Sequence, residues 1–342
     1  LRKFMDKKKQ MVFNLNNFLL AFSEVLKSKK ATYIALNLAL NLKLTKEKLA
    51  DICSYNLAFP LGKEALSNFD FIDKKNLEDK LFLDICEFSQ NLTQNFDFSK
   101  NDLTQKLKCK KFVEKQGISN SIKDAFFEIS NKLSFWLDLE NDSEIVMFIY
   151  SNLDDFTKAL DFEEILKMTN ELHLFVNKQS EILKRASKIA DFFEFEHKDK
   201  QIFLIASTLQ NIGKLYILKA IMEKKELLNG EEIDILKSYP YHTKRVLSSI
   251  MGFADICNLS FKVQERLDAS GSFALTSKDL SFKDRLLICL VIYSALREKR
   301  AYREDFNHEE AIKIMKDDAK NGKIDESIVD IFEKIFEENL ES

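Results

Sequence analysis

The sequence has little of anything that interrupts a helix. Only two prolines and seven glycines occur in 342 residues. So few breakers exclude a turn-rich β architecture and point to a chain that is helical nearly throughout. Cysteine is scarce as well. Cys53, Cys86, Cys109, Cys257 and Cys289 are odd in number and dispersed, with no C-x-x-C spacing. That excludes a disulfide framework and suits a reduced, cytoplasmic protein. Long hydrophobic runs are missing. The most apolar stretch, residues 286–296, is too short to span a bilayer. Residues 1–10 are basic but lack the apolar core of a signal peptide. An excess of one charge is also absent: 52 Lys and Arg against 55 Asp and Glu leave a net charge of −3. A general polyanion-binding surface is therefore not expected, and DNA is not an expected partner. Finally, there are only four histidines: His173, His197, His242 and His308.

What is present is apolar periodicity in abundance. With 45% apolar and 31% charged residues, the chain can build two domains with real cores. Helical spacing runs through residues 11–27, 32–44, 49–59, 81–92, 103–114 and 122–139. It resumes over 161–193, read as one long helix or two in tandem, and later over 282–297, 307–320 and 327–339. No strand-period alternation persists. The polar stretch Glu140-Asn141-Asp142-Ser143 is the best single boundary, giving domains 1–140 and 141–342, with 161–193 as the linking helix.

The chain also repeats itself. Gly213-Lys214, in Ser207-Thr208-Leu209-Gln210-Asn211-Ile212-Gly213-Lys214-Leu215, recurs as Gly62-Lys63, 151 residues earlier. Ala35, Leu38, Ala39 and Leu42 map at the same offset onto Ala186, Ile189, Ala190 and Phe193. Both quartets have i, i+3, i+4, i+7 spacing, one face of a helix. An ungapped register from Ala35 to Gly62 argues for internal duplication.

These segments resemble the helix-borne His-Asp-Ile-Gly-Lys signature of HD phosphohydrolases, with the His-Asp pair replaced by Phe59-Pro60 in the first copy and Gln210-Asn211 in the second. From residue 161 onward the order of motifs resembles the HD-GYP family of all-helical cyclic di-GMP phosphodiesterases. Positions where that family carries metal ligands correspond here to Gln179, Gln210, Asn211, Tyr239, Val263, Gln264 and Val291. The loop pattern survives as Glu265, Arg266, Asp268 and Gly271, and the Arg-Pro-Tyr-Arg motif as Arg300-Ala301-Tyr302-Arg303. The resemblance implies two tandem HD-type helical bundles, all-α, both of them degenerate copies.

A binuclear phosphodiesterase needs imidazoles and carboxylates to hold two cations, which activate water and neutralise phosphate. None of the seven matched positions is His, Asp or Glu. No metal and no other cofactor are therefore expected, and the expectation leans away from an enzyme. The four histidines, at none of these positions, are read as ordinary residues. Lys214, Arg300 and Arg303 correspond to phosphate-contacting groups of the family. The alternative for them is ion pairing with Asp268, Asp284 or Glu298 that holds loops together. Gly62, Lys63, Gly213, Glu265, Arg266, Asp268 and Gly271 are read as motif scaffold. Val263 and Val291 are expected to fill the former site with apolar groups. That favours an inactive regulatory or scaffolding protein acting through a protein partner. The alternatives are a cyclic di-GMP sensor that does not hydrolyse its ligand, and a phosphodiesterase with unusual ligands.

Overall fold

A computed structural model describes residues 13–100, 102–153, 159–178, 180–217, 219–222, 224, 226–299 and 304–337. It divides into two units, Asn14–Ala159 and Leu160–Ser342, and Phe13 belongs with the second, its ring edge-on to Phe253 at 4.9 Å. The fold is all-α. Among the described residues the only strands, Phe13–Asn14 and Ala159–Leu160, are two residues each, and no helix is long and apolar enough to cross a membrane.

The N-terminal unit contains α1 (Leu15–Leu26), α2 (Lys29–Asn41), α3 (Lys46–Ala58), α4 (Lys63–Ser67), α5 (Lys80–Asn95), α6 (Leu103–Lys115), α7 (Asn120–Ser130), α8 (Leu133–Glu140) and α9 (Asp142–Asn152). Its centre is α2, packed on α3, α5, α7 and α9. Ile34, Ala35, Leu36, Leu38 and Ala39 on it are fully buried, so small and branched residues let neighbouring helices close in on several sides. The segment 122–139 is two helices rather than the expected one. Lys132 is extended between α7 and α8, and Trp136 Nε1 turns back to donate to Ser130 O at 2.7 Å. The units meet in sequence at 159 and 160, later than the polar stretch 140–143, because α9 packs on α2 and α8.

The C-terminal unit contains α10 (Phe162–Val176), α11 (Ile182–Phe192), α12 (His197–Leu209), α13 (Lys219–Met222), α14 (Gly230–Lys237), α15 (Tyr239–Ser248), α16 (Ala254–Ser260), α17 (Phe282–Leu296), α18 (His308–Lys320) and α19 (Glu326–Ile335). Segment 161–193 is thus two helices, parted where Asn177 turns extended. Here α12 is central, packed on α10, α11, α16 and α17. Helices begin where the sequence offers reciprocal caps: Asp161 with Glu164, Asn229 with Glu232, Ser281 with Asp284 and Asn307 with Glu310.

The two units share local geometry at the 151-residue offset. Helices α3 and α12 have the same thirteen-residue length and identical displaced bounds. The preceding helices end alike. Lys43 (φ 55°) and Glu194 (φ 49°) are both left-handed, and Leu44 N–H donates to Ala39 O at 3.0 Å just as Phe195 N–H donates to Ala190 O at 3.0 Å. These are the same Schellman closure made twice. Of the two apolar quartets, all but Leu42 and Phe193 are buried.

The paired glycines follow these helices but carry different loads. Gly62 sits at φ +94° with no atom within 4 Å of where a Cβ would stand, so only its backbone conformation demands glycine. Gly213 lies in a 3-10 turn, Ile212–Tyr216, where a Cβ would stand 2.0 Å from Tyr239 O and 2.6 Å from Thr243 N. We expect Gly213→Ala to cost about 3 kcal/mol, because backbone must give way, and Gly62→Ala about 1–2 kcal/mol from conformational strain alone. Urea denaturation followed by circular dichroism measures both; equal losses would show that the close approach at Gly213 is readily relaxed.

Candidate functional site

The end of α12 is held by contacts to α15, thirty residues further on. Gly213 N–H donates to Thr243 Oγ1 at 3.0 Å, and the Thr243 hydroxyl donates to Gln210 O at 3.4 Å. Pro240 sits in the first turn of α15, where its missing N–H costs nothing. Together these fix residues 210–214 against the start of α15. Gln210, Asn211, Lys214 and Tyr239 consequently line one cavity of about 320 Å³, with Gln264 and Val291 from the later motifs.

Within it, Gln264 Nε2 donates to Tyr239 Oη at 2.9 Å, and Lys214 Nζ lies 5.2 Å from the Tyr239 ring centroid. The cavity corrects the expectation that two valines fill the site. Val291 is in its wall, but Val263 is buried in the core and does not reach the cavity. Gln179, Arg300 and Arg303 lie outside the described residues.

The scaffold residues are bound as loop formers. The buried Glu265 carboxylate accepts from Phe273 N–H at 2.9 Å and Leu275 N–H at 2.8 Å. A Cβ on Gly271 would stand 2.4 Å from Glu265 Cα, so that loop needs glycine for clearance. Arg266 Nη1 donates to Glu265 O at 2.7 Å. Asp268 Oδ1 accepts from Ser270 N–H at 3.0 Å, and the Ser270 hydrogen bonds hold the Asp268 carboxyl below its ordinary pKa. Asp284, one of the partners anticipated for the motif cations, instead pairs with Lys262 at 3.0 Å in a buried bridge. In the first copy Lys63 makes an exposed pair with Glu87 at 2.6 Å.

Sequence reasoning missed His173, Asn177, Ser180, Ser294 and Glu298, which also line the cavity. His173 is 2% exposed, a histidine of the core. Its Nδ1 lies 3.0 Å from Thr208 O, an atom that can only accept, so Nδ1 carries the hydrogen. Nε2 faces Ser180 Oγ at 2.9 Å, and that hydroxyl donates to Glu298 Oε1 at 2.7 Å. The available signal was a polar His173/Asn177 pair at i, i+4 on a helix whose buried face holds Ile165, Met168 and Leu172. His242 points elsewhere: it stacks on Tyr216 at 4.5 Å, and burial, followed by nearby Arg245, pulls its pKa below the ordinary value.

Two properties define the chemistry. The donor set does not fit a metal: the matched positions offer amides, a phenol and two valines, and among the described residues no three His, Cys, Asp or Glu side chains come together to hold one. The wall nevertheless carries unmet hydrogen-bonding capacity. Gln210 Oε1, both amide atoms of Asn211 and Ser294 Oγ are buried with no partner among the described residues.

Residues 162–328 match the family model described as HD domain. The chain is 35% identical over 100 residues to the cyclic di-GMP phosphodiesterase PdeB of Borreliella burgdorferi, covering 29% of this chain and 26% of that protein. It is 22% identical over 185 residues to the 3'3'-cGAMP-specific phosphodiesterase 1 of Vibrio cholerae, covering 52% of this chain and 43% of that protein. The matches thus span less than half the length of these curated relatives. Among solved structures, the Vibrio cholerae cyclic GMP-AMP specific phosphodiesterase V-cGAP3 shares the fold, with a TM-score of 0.54 at 13% identity over 95% of this chain and 98% of that one.

A buried group without a hydrogen-bond partner costs about 1–3 kcal/mol. Asn211→Leu, which removes two such atoms at similar volume, is therefore expected to raise the thermal midpoint of the free protein by about 2–4 °C. Differential scanning calorimetry reads it directly. A fall would mean that the amide is hydrogen-bonded in the free state.

Proposed function

We propose that the C-terminal unit, which belongs to the HD-domain family over residues 162–328, is a receptor that binds a cyclic dinucleotide without hydrolysing it. The observation that carries this reading is the unfilled cavity at the motif positions, with Gln210, Asn211 and Ser294 holding buried atoms that lack partners. A protein that had kept the fold only as a scaffold would be expected to close that space with apolar side chains. Polar atoms buried without partners beside that cavity cost the free fold stability, a cost of the kind that functional sites retain. The curated relatives, named for cyclic di-GMP and 3'3'-cGAMP, supply the ligand class. The replaced donor set argues against metal-assisted hydrolysis.

Coupling to the rest of the unit follows from the lining. Residues from α10, α11, α14, α15 and α17 share the cavity, so a ligand there ties five helices together. Binding of that kind stabilises the folded unit by mass action. The same reading takes Asn14–Ala159 as a degenerate first copy, supported by its matched helix ends. A protein partner remains part of the reading because Leu133 and Leu137 on α8 and Met147 and Tyr150 on α9 are exposed, an apolar surface of the kind partners cover.

Calorimetry with cyclic di-GMP and 3'3'-cGAMP, run beside product analysis with added Mn²⁺ or Fe²⁺, tests the proposal. We expect heat of binding, no linear product, and weakening with salt. Lys214→Ala should cost about 1.5–3 kcal/mol, the worth of a hydrogen bond to a charged group, or roughly tenfold or more in Kd. Metal-dependent turnover would overturn the non-hydrolytic assignment, and absence of heat with both ligands would overturn the receptor.

A further inference from the structure

We propose that the N-terminal unit pairs with a second copy of this chain, the basic and apolar face of α6 in one copy meeting the acidic and apolar face of α8 and α9 in the other. The inference rests on the reading of α8 and α9 as a surface that a partner covers, and it names that partner. It is independent of the ligand.

Exposed apolar side chains gather on these three helices. Leu103 and Leu107 on α6, Leu133 and Leu137 on α8, and Met147 and Tyr150 on α9 are six of the fourteen large apolar residues exposed among the described residues. Leu103 is 70%, Leu133 62% and Met147 65% exposed, so each offers most of its surface to a partner. Helical spacing sets them in stripes that run from apolar to charged. On α6, Leu103, Leu107 and Lys111 follow at i, i+4, i+8; on α8, Leu133, Leu137 and Glu140 follow at i, i+4, i+7. On α9, Met147 has Glu144 one turn before it and Tyr150 one turn after. The helices adjoin. Lys106 Nζ lies 5.3 Å from the Trp136 ring centroid and Lys110 Nζ donates to Asn131 Oδ1 at 2.8 Å, which sets α6 beside α8, and α8 packs on α9.

Charge divides this surface in two. On α6, Lys108, Lys111 and Lys115 are exposed beside the leucines, with Glu114 the only acidic residue of the helix. Across the junction of α8 and α9, Glu140, Asp142 and Glu144 are exposed, and Asp142 also pairs with Lys29 at 3.2 Å. Each face is apolar with a charged rim, the anatomy of an interface between separately folded partners. Their opposite signs make each the complement of the other on a second copy, and a contact between unlike faces uses all six apolar side chains. An anionic lipid surface would suit α6 alone and leave the acidic face uncovered.

Sedimentation equilibrium on the full chain, 39.9 kDa, tests the pairing at low and physiological salt. We expect the mass to rise above that of one chain over a range of about 1–100 μM, and association to weaken with salt. Leu107→Asp and, separately, Leu137→Asp should each weaken it by about tenfold or more, since each sets an unpaired charge in an apolar contact. The double variants K108E/K111E and E140K/E144K should each stay monomeric, because like charges then meet. An equimolar mixture of the two should associate, because each altered face finds its opposite sign on the other chain. Circular dichroism checks that every variant is folded. A parent chain that keeps the mass of one copy throughout overturns the second copy, and so does association that survives both leucine substitutions. A mixture that stays monomeric overturns the pairing of unlike faces. Capture of a monomeric parent by phosphatidylserine vesicles, lost in K108E/K111E, assigns α6 to a lipid surface instead. None of these outcomes bears on nucleotide binding, so the receptor reading stands or falls by calorimetry alone.

Discussion

The site depends on one close approach, the backbone of Gly213 lying against the first turn of α15. With a Cβ position only 2.0 Å from Tyr239 O, the contact is available to glycine alone. Its effect is positional. The hydrogen bonds through Thr243 bind the 3-10 turn to α15, and the turn carries Gln210 and Asn211 at one end and Lys214 at the other. If the two elements moved apart, Tyr239 would no longer share a wall with the amides and Lys214. The cavity is therefore a consequence of backbone packing, and the side chains in it can change character while the space persists.

This separation of scaffold from chemistry explains how the unit has an HD-type fold while amides and a phenol stand in the cavity wall. The loop after Glu265 is maintained in the same way. A buried carboxylate accepts two backbone N–H groups, and Gly271 leaves room for it. Both features serve geometry whatever ligand is bound. The repeated half makes the contrast plain. The N-terminal unit reproduces the helix ends and the left-handed cap residue, yet Gly62 has open space where Gly213 has α15, and Lys63 meets Glu87 on the surface. The same punctuation in the sequence thus supports a bound turn in one unit and a free one in the other.

Much of the fold was legible because helix formation is local. The scarcity of proline and glycine, the apolar spacing and the reciprocal caps specify helices through contacts within four residues, and the observed elements follow them closely. Where the reading failed, a longer-range contact was responsible. Residues 122–139 break at Lys132, where the chain turns and Trp136 bonds back to Ser130. The boundary between units moved from 140 to 159 because α9 packs backward on α2.

The sequence by itself determined the helical class, the recurrence of Gly-Lys and of two apolar quartets at a 151-residue offset, and the absence of His, Asp and Glu from the seven positions that the resemblance matched to metal ligands. Those are properties of residue identity and spacing, which need no knowledge of neighbours. Only the tertiary structure decided that Gln264 faces the cavity while adjacent Val263 faces the core, since direction there follows from how the 3-10 turn Phe261–Gln264 is seated. It also brought His173, Ser180, Ser294 and Glu298 to the same wall from segments more than a hundred residues apart. Their convergence is set by helix packing, and packing joins residues that no local pattern relates.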